Sequence, residues 1–163
     1  MDILDQNGKL LFQIPEAWDI FDDKDLLAGA QLPGAQLRGI DLGNANLSNA
    51  CLTGANLYYA FLNCTNLSSA NLERACLRGA DLEDADLSFA NLNYADLSLS
   101  EIGGHTRLGG ANLIGANLDD ADLTGALYDS TTRFPDGFSP KERGMLTAEE
   151  FQQLFNDAAN DMK

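Results

Sequence analysis

The sequence predicts an all-β solenoid, a coil wound from five-residue units. Three observations predict it. First, a Leu recurs every five residues from 27 to 97 and again from 108, so that 19 of 21 central positions are Leu, the others being Ile102 and Tyr128. Second, Ala stands two residues before the centre at 16 of those 21 units. Third, Gly or Asn falls two residues after the centre at 29, 34, 39, 44, 49, 54, 79, 104, 110, 115 and 125. A period of five matches neither an α-helix nor a continuous strand. A three-residue strand followed by a corner satisfies it.

Three segments follow from this pattern: an N-terminal cap over 1–24, the repeats over 25–130, and a C-terminal cap over 131–163. In the first segment, residues 3–14 predict a hairpin. Asn7-Gly8 is the preferred pair for a two-residue type I′ turn, because both residues tolerate positive φ. Pro15 suits the first turn of a short helix over 16–22, with Trp18 and Phe21 on one face. Such a cap protects the exposed end of a solenoid from edge-to-edge association.

Within a unit such as Ala70-Asn71-Leu72-Glu73-Arg74, alternation along the strand points Ala70 and Leu72 inward and Asn71 outward. The last two residues turn the chain. Gly and Asn accept the positive φ that a type II turn demands at its third residue. Between 59 and 99 that position holds Tyr59, Cys64, Ser69, Arg74, Asp84, Phe89, Tyr94 and Leu99, so these corners are expected to use a turn without positive φ. If each corner turns the chain through roughly a right angle, four units close a square coil of about 20 residues, with stacked coils roughly 4.8 Å apart.

The repeated Ala-(Asp/Asn)-Leu-x-x, as in Ala80-Asp81-Leu82-Glu83-Asp84 and Ala90-Asn91-Leu92-Asn93-Tyr94, resembles the pentapeptide repeat family. The resemblance implies a right-handed quadrilateral β-helix, here of about five coils. It implies little about activity. Many members come from cyanobacteria and other bacteria.

The register slips by one residue at Gly103-Gly104-His105-Thr106-Arg107, which reads as a bulge at a corner. Beyond Leu123 the pattern decays. Phe134 and Phe138 flank a Pro-Asp-Gly turn signal and are placed to cover the last coil. Thr147-Ala148-Glu149-Glu150 reads as a capping box, opening a helix over about 147–159 with Phe151, Leu154, Phe155 and Ala158 on one face. That face either lies on the last coil or pairs with a second copy, as in the end-to-end dimers of some family members. The chain is therefore expected as a monomer or as a homodimer through this helix.

With 25 acids against 10 bases the chain carries a formal charge of −15. The repeats hold 13 acids and 4 bases, hence −9. This disfavours direct nucleic-acid binding and anionic membranes, and favours basic partners or simple solubility. The first residues lack the positive region and apolar stretch of a signal peptide, and a cytoplasmic location is expected. Cys51, Cys64 and Cys76 are odd in number, form no CxxC, and fall on three different walls, so neither a disulfide framework nor a zinc site is expected.

Stacking by twenties sorts the outward residues into four walls. One is acidic: Asp41, Phe61, Asp81, Glu101 and Asp122 form its column, with Glu83 and Asp84 at its corners and no Lys or Arg. The preceding wall stacks Arg38, Tyr58 and Arg78 at a corner, a cation–π ladder. A third stacks Asn71, Asn91 and Asn112 as an amide ladder. The fourth carries Ser48, Ser68 and Ser88. The acidic wall and the Arg–Tyr ladder are the candidate interaction surface, although Asp and Asn at the second motif position also bond nearby backbone.

These features predict a non-catalytic scaffold that presents acids and aromatics to a protein partner. No phosphate-binding loop, metal spacing or nucleophile–His set occurs, so no catalytic residue, metal or cofactor is assigned. The alternative comes through the family resemblance: some members resemble B-form DNA in shape and charge, bind DNA gyrase and confer quinolone resistance. Here one net charge per roughly 2.8 Å of rod compares with one per about 1.7 Å in duplex DNA.

Overall fold

The computed structural model describes residues 2–13 and 25–161. The helix expected over 16–22, with Trp18 and Phe21, lies outside the described residues. Strand β1 (Asp2–Leu4) pairs antiparallel with β2 (Leu10–Gln13). The loop between them is not a two-residue type I′ turn. Gly8 N–H donates to the Asp5 carbonyl (3.0 Å), and Asp5 N–H to the Lys9 carbonyl (2.9 Å). Only Gly8 takes positive φ (78°), so the loop is a turn centred on Gln6 and Asn7 with glycine as the extra, bulged residue. The Asp5 carboxylate decides this, accepting from the amides of Asn7 (2.8 Å) and Lys9 (2.9 Å). The hairpin abuts the repeats: Gln36 N–H donates to the Leu4 carbonyl (2.8 Å), and Ile3 is buried with the first leucines.

From residue 25 the chain winds in parallel, each short strand as far as Cys76 bridging the one 20 residues on. Four columns result. Gln31, Cys51, Asn71, Asn91 and Asn117 lie on the first; Gln36, Asn56, Cys76, Asp96 and Asp122 on the second. Asp41, Phe61, Asp81, Arg107, Leu127 and Leu146 lie on the third; Asn46, Asn66, Asp86, Asn112 and Arg133 on the fourth. Every central Leu from Leu27 to Leu97, and from Leu108 to Leu123, is buried, together with the alanines that precede them. The alanines leave room for the leucines to fill the lumen, so the core is one continuous stack.

One unit shows how the backbone is satisfied. Asp81 N–H donates back to Ala60 (3.0 Å), while Leu82 N–H and Asp84 N–H donate forward to Arg107 and Gly109 (both 2.8 Å). Ala85 N–H closes the corner onto Leu82 (3.1 Å). Glu83 N–H, the fifth, goes to the Asp81 carboxylate (3.2 Å). No amide of the pentad is orphaned.

The corners between 59 and 94 differ from expectation. Tyr59, Cys64, Ser69, Arg74, Asp84, Phe89 and Tyr94 all take positive φ, between 56° and 58°. The cause is axial: each corner must aim its amide at the next coil, as Ser69 N–H does to Ser88 (2.9 Å) and Phe89 N–H to Ile114 (3.0 Å). That demand does not depend on the side chain. Left-handed conformation costs a non-glycine residue about 1–2 kcal/mol, which the bonds on either side outweigh.

The slip is also larger than expected. Cys76 bridges Asp96, but Asp81 bridges Arg107, an offset of 26 rather than 20. The whole unit centred on Ile102 is looped out, and Ile102 is 78% exposed. Leu108 takes the inward place above Leu82 instead. Thr106, fully buried, stands in the alanine position; its hydroxyl donates to the Leu77 carbonyl (2.9 Å) and accepts from Gly79 N–H (3.1 Å). A polar residue is tolerated there because both its hydrogen-bonding roles are filled.

Bridging continues past residue 130 through Asn112 to Arg133 and Leu127 to Leu146. Phe134 stacks on Phe138 (5.0 Å between centroids), and both are partly buried on the core. A short 3₁₀ turn (Lys141–Arg143) brings the Arg143 guanidinium to the carbonyls of Leu118 (3.0 Å) and Ala121 (2.8 Å). Helix α1 (Ala148–Asp161) opens with a reciprocal cap: Thr147 N–H to the Glu150 carboxylate (2.9 Å), Glu150 N–H to the Thr147 hydroxyl (3.2 Å). Phe151 meets the His105 ring edge-on (4.4 Å) and Leu154 is exposed. The side chains of Phe155 and Ala158 lie outside the described residues.

Axial control of the corners is testable at Ser69, which is exposed. Ser69→Gly should leave stability unchanged or raised, since relief of about 1–2 kcal/mol offsets the entropic penalty of glycine, about 0.5–1 kcal/mol. Ser69→Val should destabilise by more than about 1 kcal/mol, because a β-branched residue resists positive φ more strongly. Urea unfolding of both variants distinguishes this from a corner of ordinary backbone, where the order would reverse.

Candidate interaction surface

The acidic wall is not built as the sequence ordering implied. Asp41, Phe61 and Asp81 do share the third column, but its next member is Arg107. Glu101 stands in the looped-out segment, and Asp122 has moved to the second column, beside Asp96. Both displacements follow from the offset of 26, which shifts every unit after Ser100 by one wall. Arg107 then sits where no cation was expected. Its guanidinium pairs with Asp81 (3.1 Å) and Glu83 (2.5 Å). Exposed pairs of this kind contribute at most about 1 kcal/mol each, but they neutralise the middle of the wall. Asp84 remains exposed at the corner, lying across Gly110 of the following coil.

The column acids have a second occupation. Asp41, Asp81 and Asp122 each accept the amide two residues on, from Gly43 (3.1 Å), Glu83 (3.2 Å) and Thr124 (3.0 Å). Asn46, Asn71 and Asn91 make the same bond to Ser48, Glu73 and Asn93. The second motif position is therefore an Asx site that satisfies the corner amide, and either residue serves.

The Arg–Tyr ladder forms in part. The Arg38 guanidinium lies 4.5 Å from the centre of the Tyr58 ring. Arg78 instead reaches Asp96 (3.6 Å), Glu101 (3.9 Å) and the Leu99 carbonyl (3.0 Å). A second cation–π pair, Arg74 over Tyr94 (5.2 Å), lies at the corner between the first two columns. Its 20-residue spacing was readable in the sequence. The amide ladder joins Asn91 to Asn71 (3.2 Å); Asn112 lies on the fourth column and donates to Asp86 (3.0 Å), while Asn117 continues the first.

Several large apolar side chains face solvent rather than the core. Phe61, Phe89, Tyr94 and Ile102 are at least half exposed. Asp119 and Asp120 occupy an exposed corner next to Asp122, and among the described residues no Lys or Arg pairs with any of the three. His105 Nδ1 meets the Gly125 carbonyl at 2.6 Å, a structural tether. The three cysteines are free and on separate walls or corners, and the described residues form no cluster of three metal-ligating side chains. No described helix is long and apolar enough to cross a membrane.

A cleft of about 330 Å³ opens between the third column and the start of α1, lined by Glu83, Arg107, Tyr128 and Asp129 among others. Asp129 is held down to a pKa of about 2, first by the Thr131 hydroxyl and then by the amides of Gly110 and Thr131. Its carboxylate fastens the 129–132 turn to the corner above, through Gly110 N–H (3.1 Å) and Thr132 N–H (3.0 Å).

The family model described as pentapeptide repeats matches in eight copies over residues 26–57, 65–100 and 104–127. Among solved structures, HetL, a pentapeptide repeat protein involved in heterocyst differentiation regulation from the cyanobacterium Nostoc sp. strain PCC 7120, is 44% identical with a TM-score of 0.60. The match covers 62% of this chain and 42% of that protein, so the chain spans well under half the length of that relative. A second pentapeptide repeat protein from Nostoc is 38% identical over 74% of this chain and 82% of its own, with a TM-score of 0.46. QnrB1, a plasmid-mediated fluoroquinolone resistance protein, is 16% identical over 82% of this chain and 84% of its own, with a TM-score of 0.28. Comparison with curated protein sequences gave no match.

The Asp129 anchor predicts a pH dependence. Its folded pKa, about 2, lies below the ordinary 3.8, so its stabilisation is complete above about pH 4 and is lost as pH falls toward 2. In urea unfolding, Asp129→Ala should therefore be less stable than the native chain at pH 7, with the gap narrowing between pH 4 and pH 2. A gap that does not change with pH would assign the effect to geometry rather than charge.

Proposed function

The chain belongs to the pentapeptide repeat family, whose members adopt a right-handed quadrilateral β-helix, and from that premise we propose that it is a non-catalytic scaffold whose acidic, partly aromatic surface binds a basic protein partner in the cytoplasm. One observation carries this reading. The acids and aromatics that the coil does not use stand at corners: Asp84, Asp119, Asp120, Phe89 and Tyr94 are exposed there, and Phe61 stands exposed on a wall. Large aromatics in that position are enriched at interfaces, and unpaired acids steer a basic partner into contact. The scaffold is a rod of about five coils, with the hairpin packed at one end and Phe134, Phe138 and Met145 packed on the core at the other. It acts as a monomer or pairs through the exposed Leu154 face of α1.

Mimicry of DNA toward a type II topoisomerase is the second reading, motivated by the net acidity of the repeats. The ion pairs of Arg107 with Asp81 and Glu83 thin the charge on the wall that best suited it, so the general scaffold is favoured.

Reversing Asp84, Asp119 and Asp120 together to Lys tests the proposal without touching the core or the Asx sites. A partner recovered with the native chain and then purified should bind the variant at least about ten-fold more weakly, and its binding to the native chain should weaken as salt rises. Binding that survives both changes refutes the acidic surface. If instead the native chain inhibits gyrase supercoiling or protects it from quinolones, the second reading replaces the first.

A further inference from the structure

We infer that the loop over 100–105 is the contact element of this scaffold, with Ile102 the side chain that enters an apolar pocket on a protein partner whose pocket rim is basic. The inference rests on the scaffold reading and deepens it. Single exposed aliphatic residues are common and need no account. What needs one here is the apparatus that holds this residue outward.

The loop is closed at its base. Ser100 N–H donates to the Gly104 carbonyl (2.9 Å), Gly103 N–H to the Ser100 carbonyl (3.0 Å), and Gly104 N–H to the Ser100 hydroxyl (2.8 Å). The same hydroxyl, buried, meets the Tyr59 hydroxyl at 2.6 Å. Tyr59 lies so close over Gly104 that any β-carbon there would collide with its hydroxyl, so the glycine is required. Gly103 turns the chain with φ of 84°. Arg78 holds the Leu99 carbonyl at the near foot, while His105 at the far foot is tied to Gly125 and packed by Phe151 of α1. Every anchor fixes residues on either side of Ile102, and none covers it. A single hydrophobic side chain on a rigid, hydrogen-bonded loop is pre-organised for a pocket, which lowers the ordering cost of binding.

Charge selects the occupant. Glu101 beside Ile102 is almost fully exposed, and the loop borders the second column where Asp96 and Asp122 are bridged neighbours. The nearby cation, Arg78, is occupied by Asp96, Glu101 and the Leu99 carbonyl. A second copy would bring −15 against −15, and an anionic lipid surface meets the same repulsion. A basic-rimmed apolar pocket on another protein fits both the isoleucine and its acidic flank.

The test places a photo-crosslinking amino acid at Ile102, and separately at Asp120, in the full chain inside the cells that make it. The protein captured at Ile102 is then purified and its affinity measured against the native chain, Ile102→Asp, Glu101→Lys and Ser69→Gly, the last on a distant corner. Ile102→Asp should weaken binding about ten-fold or more with an unchanged unfolding midpoint. Glu101→Lys should slow association and flatten its salt dependence, and Ser69→Gly should bind as the native chain does. If Ile102→Asp fails to fold, Ile102→Ala is read in its place. Binding indifferent to Ile102, or crosslinking only to a second copy, overturns the inference. Capture at Asp120 but not at Ile102 overturns the loop and leaves the scaffold standing. Capture at neither position sinks both.

Discussion

Each coil must hand its amide hydrogens along the rod axis to its neighbours, and the rest of the molecule follows from that. In the unit at Leu82, the amides of Asp81, Leu82 and Asp84 all leave the coil along the axis. Two amides remain. One closes the corner; the other, at the first corner residue, has no carbonyl within reach, and an Asx side chain two residues back accepts it. The Asp/Asn preference of the repeat is thus a consequence of hydrogen-bond accounting rather than of charge. The same axial demand puts seven consecutive non-glycine corners, Gly79 excepted, into the left-handed region. Small alanines and stacked leucines then fill what the frame encloses.

Much of this was legible in the sequence, because it repeats. The Leu and Ala periods assigned the core, Ile102 excepted, and the Thr147–Glu150 box announced the start of α1 to within a residue. The middle corners were not legible, since residue preference argues against positive φ at Tyr, Phe and Arg; the preference is real but smaller than two flanking inter-coil bonds. The type I′ expectation at Asn7-Gly8 failed for a related reason. The Asp5 carboxylate, two and four residues from the amides it binds, stabilises a longer loop than the pair alone specifies.

Wall assignment failed in one place and then everywhere downstream. Counting in fives locates every centre after the slip, but it cannot say whether the unit at Ile102 enters the wall. The structure excludes that unit, and each later column shifts by one side. Glu101 and Asp122 leave the acidic column, Arg107 joins it, and Asn117 takes the place expected of Asn112 beside Asn91. A signal was present. Ser100 and Thr106 both stand where alanine is usual, six residues apart, on either side of two adjacent glycines. Hydroxyls at both positions mean a chain that leaves the core and must bond its way back in.

The division of labour at the Asx position bears on the charge. Asn46, Asn71 and Asn91 close their corners with the bond that Asp41, Asp81 and Asp122 use. An amide oxygen and a carboxylate oxygen accept that hydrogen alike, and the amide does so without adding like charge to the rod. Each aspartate at such a site therefore carries a charge the fold does not require. Corner acids are freer still, because the first and second corner side chains take no part in the turn bond. Some are spent on cations, as Glu73 is on Arg74 and Glu83 on Arg107. The corner acids Asp119 and Asp120 and the column acid Asp122 have no such partner among the described residues, and they gather on the coil that follows the excursion at Ile102. Self-repulsion among them opposes folding of that end. That charge is not one the coil requires, and it lies beside the largest break in the coil's regularity.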